Sequence, residues 1–77
     1  GAYPNPATDY FYLETQLANY QNARLKMFNS LGQEVLSLYI NDSIEKVHLG
    51  NLPLGVYNFK ILEDGIEKSF YNKLIVQ

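Results

Sequence analysis

Few residues in this chain could do acid–base or nucleophilic chemistry, and they do not cluster. His48 is the one histidine, and it lies in an alternating stretch between Val47 and Leu49. With no second imidazole to accompany it, we interpret His48 as a partly exposed strand residue rather than a ligand or a general base. The four serines lack the Gly-x-Ser-x-Gly turn that presents a nucleophile, and none has a paired base.

The carboxylates are scattered along the chain, which argues against a metal site. A calcium loop needs several oxygen ligands at alternate positions, and only Asn41-Asp42-Ser43 approaches that spacing. This tripeptide is far more typical of a polar turn. The five glycines fall at turns and corners, so no phosphate-binding loop is predicted. We therefore predict no catalytic residue, no cofactor site and no metal site, and we expect the protein not to be an enzyme.

The composition describes one small domain with a hydrophobic core. The chain has 77 residues, of which 47% are hydrophobic and 14% aromatic. A chain of this length buries only about 60–65% of its unfolded surface, so we expect modest stability. A net charge of −2 predicts no nucleic-acid partner. The absence of cysteine excludes disulfides and Cys-ligated zinc, and no apolar run is long enough to span a membrane.

The dominant hydrophobic period is two residues, which is typical of strands with one face on a core. Phe11 and Leu13 show it clearly, as do Leu25 and Met27. Turn signals, among them Asp64-Gly65, recur at roughly the eight-to-twelve-residue spacing of β-sandwiches and barrels. The candidate strands are 9–15, 23–28, 34–40, 44–49, 56–63 and 66–76, with a weaker seventh at 17–21.

Short strands with one apolar face bury that face best when two sheets stack. We therefore predict an all-β fold, a small antiparallel β-sandwich of six or seven short strands of immunoglobulin-like or Greek-key type. Residues 73–77 are too apolar to fray, so we expect the last strand to be paired into a sheet. The predicted core comprises Phe11, Leu13, Leu25, Met27, Val35, Leu49, Leu52, Tyr57, Phe59, Ile61, Leu74 and Val76.

The segment Tyr3-Pro4-Asn5-Pro6 can form neither a helix nor an interior strand. Proline fixes φ, donates no backbone N–H, and pushes the preceding residue towards extended geometry. We expect residues 3–8 to form a stiff, extended, proline-rich lead-in to a single domain spanning residues 1–77. One interpretation of Gly1-Ala2 is an expression scar, with the domain excised from a longer parent chain.

Seven tyrosines raise the alternative of a carbohydrate-binding module, because exposed aromatic rings can stack on sugars. The candidates at outward positions are Tyr10, Tyr12, Tyr39 and Tyr71. Tyrosine is also a favoured strand residue at sheet edges and rims. We favour that structural explanation.

Four sequence motifs occur in a fixed order along the chain: YPNPATDYFYLE, ARLKMFNSLGQEV, LPLGVYNFKILEDG and KLIVQ. Each motif alone is weak evidence for a family, but the ordered set is specific and covers residues 3–77. With these motifs the chain resembles the C-terminal sorting domain, type A, of cargo proteins of the type IX secretion system of Bacteroidetes. The departures are mild, at Phe28-Asn29 and at Asn58.

The resemblance places the family's motifs on particular residues. We expect Gly32, Gly55 and Tyr57 to act structurally, whereas Lys68 and Lys73 are equally compatible with receptor contact and with protection of a sheet edge. The motif residues are Tyr3, Pro4, Asn5, Pro6, Gly32, Gly55, Val56, Tyr57, Lys73, Leu74, Ile75 and Val76.

The resemblance implies a non-catalytic export address. The cargo would pass through the periplasm, cross the outer membrane, and lose this domain to a surface sortase, ending at the cell surface or outside the cell. The implied partners are the type IX translocon with its outer-membrane shuttle and sortase components, without nucleic acid or cofactor. We expect a monomer whose C-terminal edge strand can accept a partner strand. The alternative is a structural or adhesive β-sandwich module of a cell-surface protein, with carbohydrate binding as one form of it.

Overall fold

The computed structural model describes residues 1–69 and 72–77, and these form two antiparallel sheets. None of the described residues belongs to a helix that could cross a membrane. The predicted all-β sandwich is confirmed. Its strands are β1 (Ala2–Tyr3), β2 (Tyr10–Glu14), β3 (Ala23–Phe28), β4 (Glu34–Tyr39), β5 (Ile44–His48), β6 (Gly55–Glu63), β7 (Ile66–Glu67) and β8 (Asn72–Val76).

The smaller sheet has the strand order β1-β2-β5. β2 pairs along its whole length with β5, where Phe11 lies opposite Val47 and both side chains are buried. β1 adds two residues to the other edge of β2, with Ala2 opposite Leu13. The alternation along β2 therefore gives this sheet one core face and one outer face.

The larger sheet has the order β4-β3-β6, and both β7 and β8 pair with the far side of β6. β7 lies opposite residues 62–63 and β8 opposite residues 55–59. The candidate strand at 66–76 is thus divided into two short strands along one edge. The Asp64-Gly65 hairpin joins β6 to β7 as predicted, and both of its residues have positive φ.

The segment at 17–21, the weakest of the candidate strands, contains no strand. Tyr20 in this segment forms hydrogen bonds with residues that precede it in the chain. The Tyr20 hydroxyl donates to the Thr15 carbonyl at 3.1 Å, and the Leu17 N–H donates to the same hydroxyl at 3.4 Å. These local bonds hold the segment as a loop between β2 and β3.

The core lies between the two sheets and contains the residues predicted for it, except that Val35 and Leu52 are only partly buried against its margin. Sequence reasoning missed Ala7, Ala23, Ile40 and Val47, which are fully buried. Ile40 sits directly before a polar turn, where exposure is the usual expectation. Its N–H donates to the Ala23 carbonyl at 2.9 Å, which extends the β3–β4 pairing into the core.

The proline lead-in is bent rather than extended, so that prediction is wrong. The chain bends at Pro4, Asn5 and Pro6, and both X–Pro peptide bonds are cis. The reason is topological. Tyr3 pairs with the smaller sheet, whereas Ala7 bridges to Val76 in the larger one. The chain must turn between these positions to cross from one sheet to the other.

Truncating a core side chain should destabilise this small domain severely. Leu25 is completely buried, so we expect Leu25→Ala to lower the free energy of unfolding by about 2–5 kcal/mol, through lost burial and the cavity left behind. Leu31 is 82% exposed, and Leu31→Ala provides the matched control, with a change within about 0.5 kcal/mol. Urea denaturation of the two variants measures both values, and similar losses would contradict this description of the core.

Candidate functional site

Asn5, between the two prolines, bonds to the backbone of β8 through its side-chain amide. Its Nδ2 donates to the Lys73 carbonyl at 2.8 Å, and its Oδ1 accepts from the Ile75 N–H at 2.9 Å. A side-chain amide has one donor face and one acceptor face. Asn5 therefore pairs with the outer edge of β8 much as a residue of a neighbouring strand would.

Ala7 continues this pairing towards the end of the chain. Its N–H donates to the Ile75 carbonyl at 2.8 Å, and its carbonyl accepts from the Gln77 N–H at 2.8 Å. Ala7 and Val76 thereby form a parallel bridge, and the Ala7 side chain is fully buried. A small side chain at this position lets the lead-in approach the core closely.

Residues 1–3 are held by the other sheet. The Gly1 carbonyl accepts from the Glu14 N–H at 2.8 Å, and the Gly1 amino group donates to the Glu14 carbonyl at 2.9 Å. The first seven residues therefore run from the edge of one sheet to the edge of the other. We call residues 1–7 together with residues 73–77 the terminal clasp.

The terminal clasp overturns one expectation from the sequence. We predicted that the C-terminal edge strand would offer unpaired N–H and C=O groups to a partner. Instead, the Lys73 carbonyl, both backbone groups of Ile75 and the Gln77 N–H already bond to Asn5 and Ala7. Strand addition at this edge would first require displacement of the lead-in.

The motif residues after the middle of the chain build one corner of the sandwich. Tyr57 is buried, and its hydroxyl donates to the Pro53 carbonyl, which fixes the loop that leads into β6. Gly55 begins that strand at a φ of +154°, a conformation that strongly favours glycine. Gly55 also lies opposite Val76 in β8, so this corner adjoins the terminal clasp.

The β3–β4 hairpin loop is organised by Asn29, a role that the sequence analysis missed. Asn29 Oδ1 accepts from the backbone N–H of Leu31 at 2.9 Å and of Gln33 at 3.0 Å. Gly32 completes the turn at a positive φ of +81°, which suits a glycine with a structural role. The signal was available, because asparagine at the start of a turn commonly accepts bonds from residues two positions on.

The two motif loops meet at the surface. Leu31 from the hairpin loop and Leu54 from the corner are 82% and 80% exposed, and Val56 is 46% exposed. All three line an open surface cavity of about 380 Å³. Motif residues more than twenty positions apart in sequence therefore contribute to one apolar rim.

The tyrosines considered for sugar stacking do not lie on one surface. Tyr10 and Tyr12 lie on the outer face of the smaller sheet, with ring centroids 5.4 Å apart and planes at 77°. Tyr3 joins them, its ring centroid 5.7 Å from that of Tyr12. Tyr39 lies on the other sheet, and Tyr71 falls outside the described residues. The rings pack edge to face or tilted, which is typical of mutually stabilising aromatic pairs.

The residues considered for metal or acid–base chemistry remain apart. His48 is exposed, opposite Tyr10 in the β2–β5 pairing. In the polar turn, the Ser43 N–H donates to Asp42 Oδ1 at 2.7 Å, as in an ordinary turn. Across residues 1–69 and 72–77, no three histidine or carboxylate side chains approach closely enough to bind a metal ion together.

Comparison with known proteins gives a match over the whole sequence. A family model described as a secretion system C-terminal sorting domain matches residues 1–77. No curated protein and no solved structure matches the chain.

Removing the Asn5 side chain should loosen the terminal clasp while leaving the core intact. We expect Asn5→Ala to lower the free energy of unfolding by about 1–3 kcal/mol, since two hydrogen bonds of about 0.5–1.5 kcal/mol each are lost. Amide hydrogen exchange should accelerate at Ile75 and Gln77. Asn5→Asp keeps an acceptor for Ile75 but loses the donor to Lys73, so exchange should be intermediate. Asn58→Ala, at an exposed asparagine, is the control, and equal exchange in all variants would refute the role of Asn5.

Proposed function

The chain belongs to the family of secretion system C-terminal sorting domains, and we propose that it is the removable address of a type IX cargo protein. Members of this family act as type IX sorting signals, which direct proteins to the cell surface or the extracellular space. The family is not catalytic. The match over residues 1–77 is the observation that carries the proposal.

The cargo would reach the periplasm first and then engage the type IX translocon through this domain. An address of this kind must present one constant surface whatever cargo precedes it. The terminal clasp supports such independence, because backbone and side-chain bonds hold both ends of the domain to its own sheets. An outer-membrane shuttle component could then recognise a rigid monomer.

Removal of the address by a sortase requires an accessible peptide bond outside the fold. Residues 1–3 already pair with β2, and Asn5 and Ala7 pair with β8. Proteases cut extended and accessible chain far more readily than hydrogen-bonded structure. Cleavage is therefore proposed upstream of the clasp, after which the cargo is anchored at the surface or released.

The adhesive or carbohydrate-binding module stays as the second candidate, on one specific observation. Tyr3, Tyr10 and Tyr12 form a partly exposed aromatic row on the outer face of the smaller sheet. Such a module would bind glycans as an isolated domain. Absence of binding across a broad glycan panel would eliminate this candidate.

A fusion experiment tests the address directly. We expect residues 1–77, placed behind a signal peptide and a fluorescent protein in a type IX-competent bacterium, to bring fluorescence to the cell surface or the medium. Deleting residues 73–77 should leave it in the periplasm, because Leu74 and Val76 leave the core and Asn5 loses its partners. Fractionation and surface proteolysis measure the distribution, and surface delivery of the truncated fusion would contradict the prediction.

The Leu25→Ala fusion separates the two ways in which the truncation can fail. This variant weakens the core but keeps every residue of the terminal clasp. Failure of both variants indicates that overall folding is what the machinery requires. Failure of the truncation alone, when circular dichroism shows that the truncated domain still folds, indicates that the C-terminal residues are themselves recognised.

A further inference from the structure

The outer face of the larger sheet is basic, although the protein as a whole carries a net charge of −2. The strand registers place on this face four of the six Lys and Arg residues of the sequence and only two of its eight carboxylates. We call this set the basic face. Its cations are Arg24, Lys26, Lys60 and Lys73, and its carboxylates are Glu34 and Glu67.

Two lysines lie directly opposite each other at the centre of the basic face. Lys26 on β3 is the register partner of Lys60 on β6. Like charges at directly opposite positions destabilise an antiparallel pair. The direct opposition of Lys26 and Lys60 therefore adds no stability by itself.

Nearby side chains contact both lysines and hold them in place. Lys26 Nζ lies 3.3 Å from Glu34, and Lys60 Nζ lies 3.4 Å from Glu67. Lys60 also lies over the ring of Phe28, 5.4 Å from its centroid. These contacts limit the repulsion without neutralising the face, because Arg24 and Lys73 add two further positive charges.

Apolar and aromatic side chains are interleaved with the cations. Arg24 lies 4.9 Å over the ring of Tyr39, which is 58% exposed. Val56 is 46% exposed and lies opposite the partly buried Ile75 at the clasp end of the face. Arginine with exposed aromatic and aliphatic surface is the composition of a protein–protein contact rather than of a surface built only for phosphates.

We propose that the basic face docks onto an acidic protein surface of the secretion machinery. Charge complementarity identifies the partner's chemistry: carboxylates facing Lys26 and Lys60, with apolar groups facing Phe28 and Tyr39. The exposed aromatic and aliphatic groups between the cations favour a protein over a polyanionic membrane or polysaccharide as the ligand. That the partner belongs to the secretion machinery rests on the proposed function, whereas the location and charge of the face do not.

Lys60→Glu gives a sharp test because docking should weaken while folding should change little. The change removes the repulsion facing Lys26 but places a carboxylate beside Glu67, so the two effects offset and the melting temperature should stay within a few degrees of the parent. It also lowers the charge of the face by two. Lys46→Glu is the matched control, since Lys46 lies on the other sheet, over Tyr10 at 4.3 Å.

The isolated domain should bind a polyglutamate peptide, with amide shifts clustered on β3 and β6 and affinity falling as salt rises. Lys60→Glu should weaken this binding roughly tenfold or more, and Lys46→Glu should not. Shifts located on the smaller sheet, or equal losses in the two variants, would overturn the proposal. So would tighter binding to phosphatidylglycerol vesicles than to the peptide, which would point to a membrane instead.

The export assay then links the face to function. The Lys60→Glu fusion should accumulate in the periplasm while the Lys46→Glu fusion is exported. Normal export of a folded Lys60→Glu fusion would disprove the docking role but leave the sorting function standing. If even the unaltered fusion is not exported, the sorting function fails, and the peptide measurement still decides whether the basic face binds acidic surfaces.

Discussion

The pairing of residues 5–7 with the edge of β8 is the constraint on which the rest of the sandwich depends. A chain of 77 residues buries only a small hydrophobic core, and its terminal segments would ordinarily fray. Here the first residues bond to the smaller sheet and the next ones to the larger sheet, so a single segment links both layers. The arrangement also explains the prolines. Pro4 and Pro6 have no N–H to donate, and the side-chain amide of Asn5 supplies the donor and acceptor that β8 needs.

The strands could be predicted from sequence because their signal is local. Phe11 and Leu13, or Leu25 and Met27, point the same way from neighbouring positions, so alternation alone indicates a core face. The terminal clasp has no such signal. Asn5 and Ile75 lie 70 residues apart, and nothing in either segment's periodicity links them. The rules for proline correctly excluded helix and interior strand, yet they suggested extended geometry, because they describe each residue without the two sheets that bend the chain.

The candidate site divides in the same way. Gly32 could be placed in a turn from its neighbours, and its positive φ agrees. The basic face could not be predicted from the sequence, because its residues lie on separate strands. The sequence pattern shows only that each of them occupies an exposed, polar position. Lys26 and Lys60 become neighbours only once the register between β3 and β6 is known. The order of the motifs identifies the family without knowledge of the β3–β6 register. It does not reveal which surface the family members share.

The sandwich separates the residues that fold the protein from those that a partner can contact. Every second side chain of β3 and β6 points into the core, and packing there leaves the alternate positions free of steric constraint. Lysine opposite lysine is a costly choice at such free positions, even with a glutamate beside each. Since the core does not require this pair and the neighbouring glutamates only offset its repulsion, the proposed docking of the basic face supplies a reason for it outside the domain.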